Sequence, residues 1–243
     1  MADEWWQTFF DRTYTETWDK AGSFESTADE VTGIVTMLKA DHAMRILDIP
    51  CGFGRHSGAL HAMGHDVTGV DASTDQLALA EERNPGPTYV QSDMRHPPPG
   101  PFDAVLNMFS SIGYFKDRDQ DLKAMRAWEQ VLTPGGTLLL EAMHRDRIAL
   151  IHDPEDKNPI GGDGAVEFGT MDWLTGVMNR TVRLPSGEER EFRVNTYTVT
   201  ELADMADQAG LVDIEVFGDW DGGPVSPHTR LIMRAQRPNL RAA

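Results

Sequence analysis

Apolar runs and amphipathic segments alternate along the first part of this chain. The stretch from Glu25 to Lys39 places its apolar residues three or four positions apart, which is the period of a helix. Short apolar runs typical of buried parallel strands follow at residues 46–49, 66–70, 88–91, 102–107 and 137–142. Helix-compatible segments separate these runs, as in a sheet built from right-handed crossovers. We therefore expect an α/β fold with a doubly wound, mostly parallel sheet.

The pattern changes in the second part of the chain. Residues 153–165 are rich in Pro, Gly and Asp, a composition typical of a flexible connection. Residues 166–198 alternate between apolar and polar positions around a Pro185-Ser186-Gly187 turn, which predicts an antiparallel ribbon of three strands. Two more strands, at 212–217 and 230–235, are expected to form a hairpin that brings the main sheet to seven strands.

These patterns predict four parts. The main domain comprises residues 25–150 and 199–236, and an antiparallel β insertion at 151–198 serves as a cap over the site or as a dimer interface. An aromatic N-terminal arm, residues 1–24, is either a lid or a helix packed on the domain. Residues 237–243 are a loose tail.

One strand, turn and helix carry the strongest chemical signal. The segment RILDIPCGFGRHS, residues 45–57, passes from an apolar run into a turn containing Gly52 and Gly54 and then into a helix-compatible stretch. Glycines let the backbone approach a ligand closely, so this order predicts a cradle of nucleotide size. The next strand ends at Asp71, about the spacing at which an acidic side chain meets ribose hydroxyls.

The local charge distinguishes two cofactor classes. Asp48 precedes the turn, where a carboxylate opposes a pyrophosphate and favours a cation. Ser57 stands where a dinucleotide fingerprint has its third glycine, although Gly58 is adjacent. Both observations favour S-adenosylmethionine (SAM), which carries a sulfonium and an ammonium group, over a nicotinamide dinucleotide. An NAD(P)-dependent oxidoreductase stays the less favoured alternative.

Together with this turn, further segments carry a family resemblance. They are GVDAS at 69–73, QSDMR at 91–95, FDAVLNMFSSIGYF at 102–115 and LTPGGTLLLE at 132–141. From about Phe10 onward the chain resembles the class I SAM-dependent methyltransferases, especially those that act on natural products and amino sugars. The resemblance implies a Rossmann-like fold and a methyl transfer that yields S-adenosylhomocysteine (SAH). Pro50 departs from the family, which has a glycine at the first position of the turn.

Cofactor contacts are expected at the strand ends and in the arm. Asp48 is expected to hold the amino group of SAM directly or through water, Asp71 its ribose, and Asp93 with Met94 its adenine. The full expected set is Tyr14, Asp48, Pro50, Gly52, Gly54, Asp71, Ala72, Asp93, Met94 and Asn107. Tyr14 comes from FDRTY, which resembles the arm that closes over the cofactor in amino-sugar N-methyltransferases. Capping or packing is the alternative role for Asp93, Asn107 and Tyr14.

Acceptor contacts are expected farther along the chain. His144 follows the fifth strand and is a candidate general base, because imidazole titrates near neutral pH. Its alternative role is that of a hydrogen-bonded loop residue. Candidate acceptor contacts, each with packing or loop stabilisation as its alternative, are Trp18, Ser110, Tyr114, Asp219 and Trp220. The acceptor is expected to be a small molecule methylated on N, O or C. A SAM lyase, cyclase or sensor is the other open function.

Composition narrows the choice of partners. The chain has 39 acidic and 22 basic residues, a formal net charge of −17, and this field repels nucleic acid and anionic membranes. Its acidic start and the lack of a long apolar run predict a cytoplasmic protein. Cys51 is the only cysteine, so no internal disulfide is expected. No His, Cys and carboxylate spacing indicates a metal site, and a homodimer is possible.

Overall fold

The computed structural model describes residues 4–152, 157–161 and 164–239. Parts of the expected arm, connection and tail, at residues 1–3, 153–156, 162–163 and 240–243, lie outside the described residues. The helices are α1 (Trp6–Phe9), α2 (Arg12–Lys20), α3 (Thr27–Leu38), α4 (Arg55–Ala62), α5 (Thr74–Arg83), α6 (Arg118–Val131), α7 (Arg145–Ile151) and α8 (Val199–Gln208). The strands are β1 (Arg45–Asp48), β2 (Asp66–Asp71), β3 (Thr88–Gln91), β4 (Phe102–Ile112), β5 (Leu132–Ala142), β6 (Asn158–Ile160), β7 (Ala165–Asp172), β8 (Val177–Arg183), β9 (Glu189–Asn195), β10 (Val212–Phe217) and β11 (Leu231–Gln236).

The main sheet is seven-stranded in the order β10-β11-β5-β4-β1-β2-β3. Strands β1 to β5 pair in parallel, while β11 runs antiparallel to both β5 and β10. The expected α/β class, the mostly parallel sheet and the terminal hairpin are thus confirmed. Because the carboxyl ends of β1 to β5 share one edge, the segments that follow these strands are brought together there.

Adjacent residues of the central strands face opposite layers of the molecule, as the two-residue period of a strand requires. Leu47 belongs to the apolar cluster that includes Trp128 of α6, whereas Ile46 belongs to the cluster that includes Ile34 of α3. All four of these side chains are fully buried. The sheet is therefore covered on both faces, which explains its continuous apolar strands.

The antiparallel sheet has the order β6-β7-β8-β9 and spans residues 158–195. The sequence pattern predicts three strands here, and the short β6 is the fourth, because it pairs with β7 through Asn158 to Ile160. Three other expectations need correction. The arm contains two helices rather than one, β4 continues to Ile112, and α7 was not expected.

The two sheets are joined through a buried carboxylate. Asp121 of α6 accepts hydrogen bonds from the Tyr197 hydroxyl at 2.6 Å, the Asn195 amide at 2.8 Å and the backbone N–H of Gly113 at 3.0 Å. Asn195 and Tyr197 lie at and just beyond the end of β9. Burial raises the pKa of Asp121 to about 6, and the three donors act in the opposite direction.

We expect Tyr197→Phe to destabilise the protein by about 1–3 kcal/mol, because it leaves the buried Asp121 carboxylate without its phenol donor. The matched control is Tyr89→Phe, since the half-buried Tyr89 hydroxyl donates only to a neutral backbone carbonyl, that of Asn84. Thermal unfolding should show a clearly lower midpoint for Tyr197→Phe than for the control. Equal midpoints would contradict the importance of this junction.

Candidate active site

The turn after β1 is shaped by glycines and by Asp71. Gly52 and Gly54 have φ angles of 55° and 76°, which side chains rarely adopt, and a Cβ on Gly54 would lie 2.3 Å from the Tyr89 hydroxyl. The Gly52 N–H donates to Asp71 Oδ2 at 2.8 Å. The Ile49–Pro50 peptide is cis. The hydrogen bond between Gly52 and Asp71 therefore ties the turn after β1 to the end of β2.

An inner cavity opens over this turn. It is lined from the sheet by the turn and the end of β2, from the arm by aromatic side chains, and from the segments after β3 and β4. Seven of the ten expected cofactor residues line it: Tyr14, Pro50, Gly52, Asp71, Ala72, Asp93 and Met94. The structure thus brings together residues that are far apart in sequence.

Asp71 is the buried acid of the inner cavity. Its Oδ1 accepts the N–H of Ser73 at 2.9 Å, and its Oδ2 accepts that of Gly52. Burial raises its pKa to about 6, while these backbone donors act in the opposite direction. Each carboxylate oxygen has two acceptor positions, so both can still receive a ligand hydroxyl.

Asp93 and Met94 lie on another side of this cavity. The Asp93 carboxylate forms a close ion pair with Arg95, which contacts both of its oxygens. Met94 is buried, and its backbone carbonyl accepts from Trp128 at 2.8 Å. Asp93 therefore combines its position at the cavity with a structural role in its own turn.

Three expected cofactor residues do not line the inner cavity. Asp48 is 1% exposed and accepts from the Ser57 hydroxyl at 2.5 Å, while its Oδ1 has no hydrogen-bond partner. Burial raises its pKa, and nearby His56 acts in the opposite direction. Gly54 packs against Tyr89. Asp48 thus links the end of β1 to α4, and the expected cofactor contacts of Asp48 and Gly54 stay predictions.

The third is Asn107, which is fully buried in β4. Its side-chain amide donates to the Ile49 carbonyl at 2.7 Å and accepts from the Ile112 N–H at 3.0 Å. These bonds hold the end of β1 and the irregular end of β4. Asn107 therefore braces these two segments, and its expected cofactor contact stays a prediction.

The arm closes one side of the inner cavity. The Ser73 hydroxyl donates to the Phe10 carbonyl at 2.6 Å, and the Gln76 side chain donates to the Thr15 hydroxyl at 2.7 Å. Tyr14 stacks on Trp18 with ring centroids 4.5 Å apart. The arm is therefore fixed to the start of α5 by hydrogen bonds and presents aromatic rings to the cavity.

An outer cavity lies beside the inner one and shares part of its wall. Phe10, Tyr14, Phe109 and Tyr114 line both cavities. The arm, the antiparallel sheet, the end of β5 and the β10–β11 loop complete the outer cavity. All five expected acceptor contacts line it: Trp18, Ser110, Tyr114, Asp219 and Trp220. Asp219 also accepts from the N–H groups of Asp221 and Gly223, which orders its own loop.

His144 lies outside both cavities, contrary to its expected role as a base. It is 4% exposed, and its Nδ1 is 3.2 Å from the Thr229 carbonyl oxygen. Its Nε2 is 3.6 Å from Asp146. The His144 imidazole is therefore buried beside Thr229 and not in either cavity wall, and its role as a base stays a prediction.

The sequence pattern does not predict the buried network of charged side chains that lies between the two cavities. Glu30 of α3 contacts Arg55 and His56 of α4 and Arg230, and Arg230 also contacts Glu141 at 2.8 Å. Arg55 and His56 line the inner cavity, and Glu141 and Arg230 line the outer one. These residues come from four separate segments, so no local motif reveals their pairing.

The described residues hold neither a group of metal ligands nor a membrane-spanning helix. Within residues 4–152, 157–161 and 164–239, no three His, Cys, Asp or Glu side chains are grouped as metal ligands would be. Across the same ranges, no helix has the length and apolar character needed to cross a membrane.

Comparisons with known proteins agree with this geometry. Residues 46–136 match a family model described as a methyltransferase domain. The chain is 34% identical over 117 residues to a dTDP-3-amino-3,4,6-trideoxy-alpha-D-glucopyranose N,N-dimethyltransferase of Streptomyces venezuelae, an alignment that covers 47% of this chain and 49% of that relative. Residues 46–136 are therefore similar to a methyltransferase domain, and the chain spans about half the length of this relative.

Solved structures extend the similarity to nearly the whole fold. CalS10 of Micromonospora echinaspora, a SAM-bound amino pentose methyltransferase, is 25% identical with a TM-score of 0.68, covering 93% of this chain and 97% of that one. The CcbJ methyltransferase of Streptomyces caelestis is 20% identical with a TM-score of 0.75, covering 88% and 90%. SAM is the cofactor bound by CalS10. The glycine turn and the free acceptor positions of Asp71 fit it.

We expect the affinity for SAH to fall about tenfold from pH 7.5 to pH 5, because Asp71 is protonated below its pKa of about 6 and then accepts ribose hydroxyls less well. Isothermal titration calorimetry measures this profile. Asp71→Asn has no charge to titrate, so its weaker binding should stay nearly constant over the same range. A wild-type profile as flat as that of the variant would contradict the role of Asp71.

Proposed function

We propose that this protein transfers the methyl group of SAM to a nucleophilic atom of a small molecule, with the cofactor in the inner cavity and the acceptor in the outer one. The observation that carries the proposal is the shared wall of the two cavities, formed by Phe10, Tyr14, Phe109 and Tyr114. A methyl group must pass between donor and acceptor in line, so adjoining sites are the geometry that the reaction needs.

SAM supplies a methyl group that is bound to a sulfonium. When the electron pair of the acceptor bonds to this methyl carbon, the bond between sulfur and methyl breaks and the sulfur becomes the neutral thioether of SAH. The chain's part is to bind, align and keep water away. The aromatic rings of the shared wall favour a positive sulfur at this place, since their faces attract cations. Because the sulfonium needs no activation, a general base is needed only for an acceptor that must lose a proton first.

The outer cavity combines aromatic rings with carboxylates. Glu141, Glu167 and Asp219 line it, and burial raises the pKa of Glu141. Arg230 and Arg147 also line it, so the wall carries both charges. Such a surface suits a polar acceptor with an apolar face. A sugar amine meets this description, and relatives named as amino-sugar N,N-dimethyltransferases make it the first acceptor class to test.

The experiment is calorimetric titration with SAH, followed by incubation of SAM with a panel of amino-sugar nucleotides and mass spectrometry of the products. We expect SAH to bind and at least one acceptor to gain 14 mass units for each methyl group, an increment set by replacing H with CH₃. Absence of SAH binding by a folded protein would contradict the proposal. Formation of methylthioadenosine instead of SAH would reassign the protein to a SAM lyase or cyclase.

Trp220 provides a test of the outer cavity alone. Its indole Nε1 is buried without a hydrogen-bond partner among the described residues, and the side chain lines the outer but not the inner cavity. Trp220→Phe removes this donor and keeps an aromatic ring. We expect the KM of the acceptor identified above to rise about three- to thirtyfold, the loss of about one hydrogen bond.

The same variant should bind SAH with unchanged affinity. Trp173→Phe is the matched control, because Trp173 is 51% exposed on the β7–β8 turn and lines neither cavity. This control should leave both the KM and the SAH affinity as in the wild type. An unchanged KM in Trp220→Phe, or an equal loss of SAH affinity, would remove Trp220 from the acceptor site.

A further inference from the structure

Arg55 is a cationic side chain in the wall of the inner cavity. It is the first residue of α4, is 8% exposed, and lies against two aromatic rings. Its guanidinium carbon is 5.5 Å from the Phe24 ring centroid and 5.2 Å from that of Phe109. Among the described residues that line this cavity, no other is an arginine or a lysine.

The hydrogen bonds of Arg55 are incomplete. Its Nη1 donates to Glu30 and to the Thr27 hydroxyl, the latter at 2.8 Å. Its Nη2 is buried and has no partner within the described part of the chain. A buried donor of a charged group that stays unpaired is costly, so it indicates a partner that arrives from outside the protein.

Arg55 shares its acidic partner, Glu30, with other side chains. The same carboxylate also contacts His56 at 2.9 Å and Arg230 at 3.4 Å. Burial raises the pKa of Glu30, but the hydrogen bond to His56 and the charge of Arg55 outweigh burial and hold this pKa well below the usual range. Glu30 therefore stays ionised and is shared among three side chains, those of Arg55, His56 and Arg230. It holds Nη1 of the Arg55 guanidinium, while Nη2 stays unpaired among the described residues.

The strand order tells which part of SAM reaches Arg55. Along the carboxyl edge the order is β3, β2, β1, β4. The proposed adenosine contacts, Asp93 and Asp71, follow β3 and β2. The turn after β1 and Phe109 in β4 remain for the methionine portion, and Arg55 contacts Phe109. The one anionic group of SAM, its carboxylate, belongs to that portion.

We propose that Arg55 binds the carboxylate of the methionine portion of SAM, with Nη2 as a donor, and makes the site selective for nucleosides that keep this carboxylate. The inference rests on the proposed function, since it requires SAM in the inner cavity. An arginine suits the role because its planar donors match a carboxylate and its plane packs on aromatic rings. The ring contacts and Glu30 fix the guanidinium before the ligand arrives, which lowers the entropic cost of binding.

The test compares two ligands by isothermal titration calorimetry. SAH carries the amino-acid carboxylate, and 5′-methylthioadenosine has the same nucleoside without the amino-acid part. We expect Arg55→Gln to weaken SAH binding about ten- to a hundredfold, as for a lost charged hydrogen bond. Its affinity for methylthioadenosine should stay within about twofold of the wild type, a margin well below one hydrogen bond. Arg55→Lys, which keeps the charge but not the planar donors, should fall between the wild type and Arg55→Gln for SAH.

Arg83→Gln is the matched control. Arg83 also lies over an aromatic ring of this region, Phe53, and pairs with an acid, Asp19, but it does not line the inner cavity. It should leave the affinities for both ligands unchanged. Circular dichroism confirms folding of each variant, and if Arg55→Gln does not fold, the loss specific to SAH in Arg55→Lys decides the test.

Equal losses for SAH and methylthioadenosine in the Arg55 variants would overturn the proposal, because they would show that Arg55 only positions α4. Unchanged SAH affinity would overturn it as well. Failure of the wild type to bind SAH is a different result, since it would contradict the proposed function itself.

Discussion

The site depends on the hydrogen bond between the Gly52 N–H and Asp71, which joins the ends of two neighbouring parallel strands. Parallel strands bring their carboxyl ends to one edge, and the glycine turn leaves backbone instead of side chain at that edge. With the turn fixed to Asp71, the floor of the inner cavity and the proposed ribose acceptor form one unit. Asp48 and Asn107 extend this unit, because their hydrogen bonds join the end of β1 to α4 and to β4.

Aromatic rings and a few buried charges line the inner and outer cavities at the edge of the sheet. The arm contributes rings to both cavities, and hydrogen bonds from Ser73 and Gln76 hold it beside Asp71. In a chain of net charge −17, a cofactor that carries a carboxylate is favoured by a local cation. Arg55, held in the wall of the inner cavity by Glu30, is the cation that we propose for this role. The same network continues through Arg230 to Glu141 in the outer cavity.

Sequence patterns predict the sheet, the glycine turn and Asp71 because each depends on local period, backbone freedom and short spacing. They do not predict which polar side chain turns inward. His144 follows β5 as expected, yet it is buried beside Thr229. Asn107 lies in the expected strand, but its side chain forms hydrogen bonds with backbone groups of Ile49 and Ile112. The Glu30 network escapes prediction for a related reason, since its members meet only after α3, α4 and the final hairpin have packed together.

A crystal structure of the protein with SAH tests the central claim most directly. The account predicts that both ribose hydroxyls lie within about 3.2 Å of the Asp71 carboxylate, a hydrogen-bond distance, with the adenine beside Met94 and the sulfur facing the shared wall of the two cavities. SAH bound away from the glycine turn, or an Asp71 carboxylate without a ribose contact, would contradict the account.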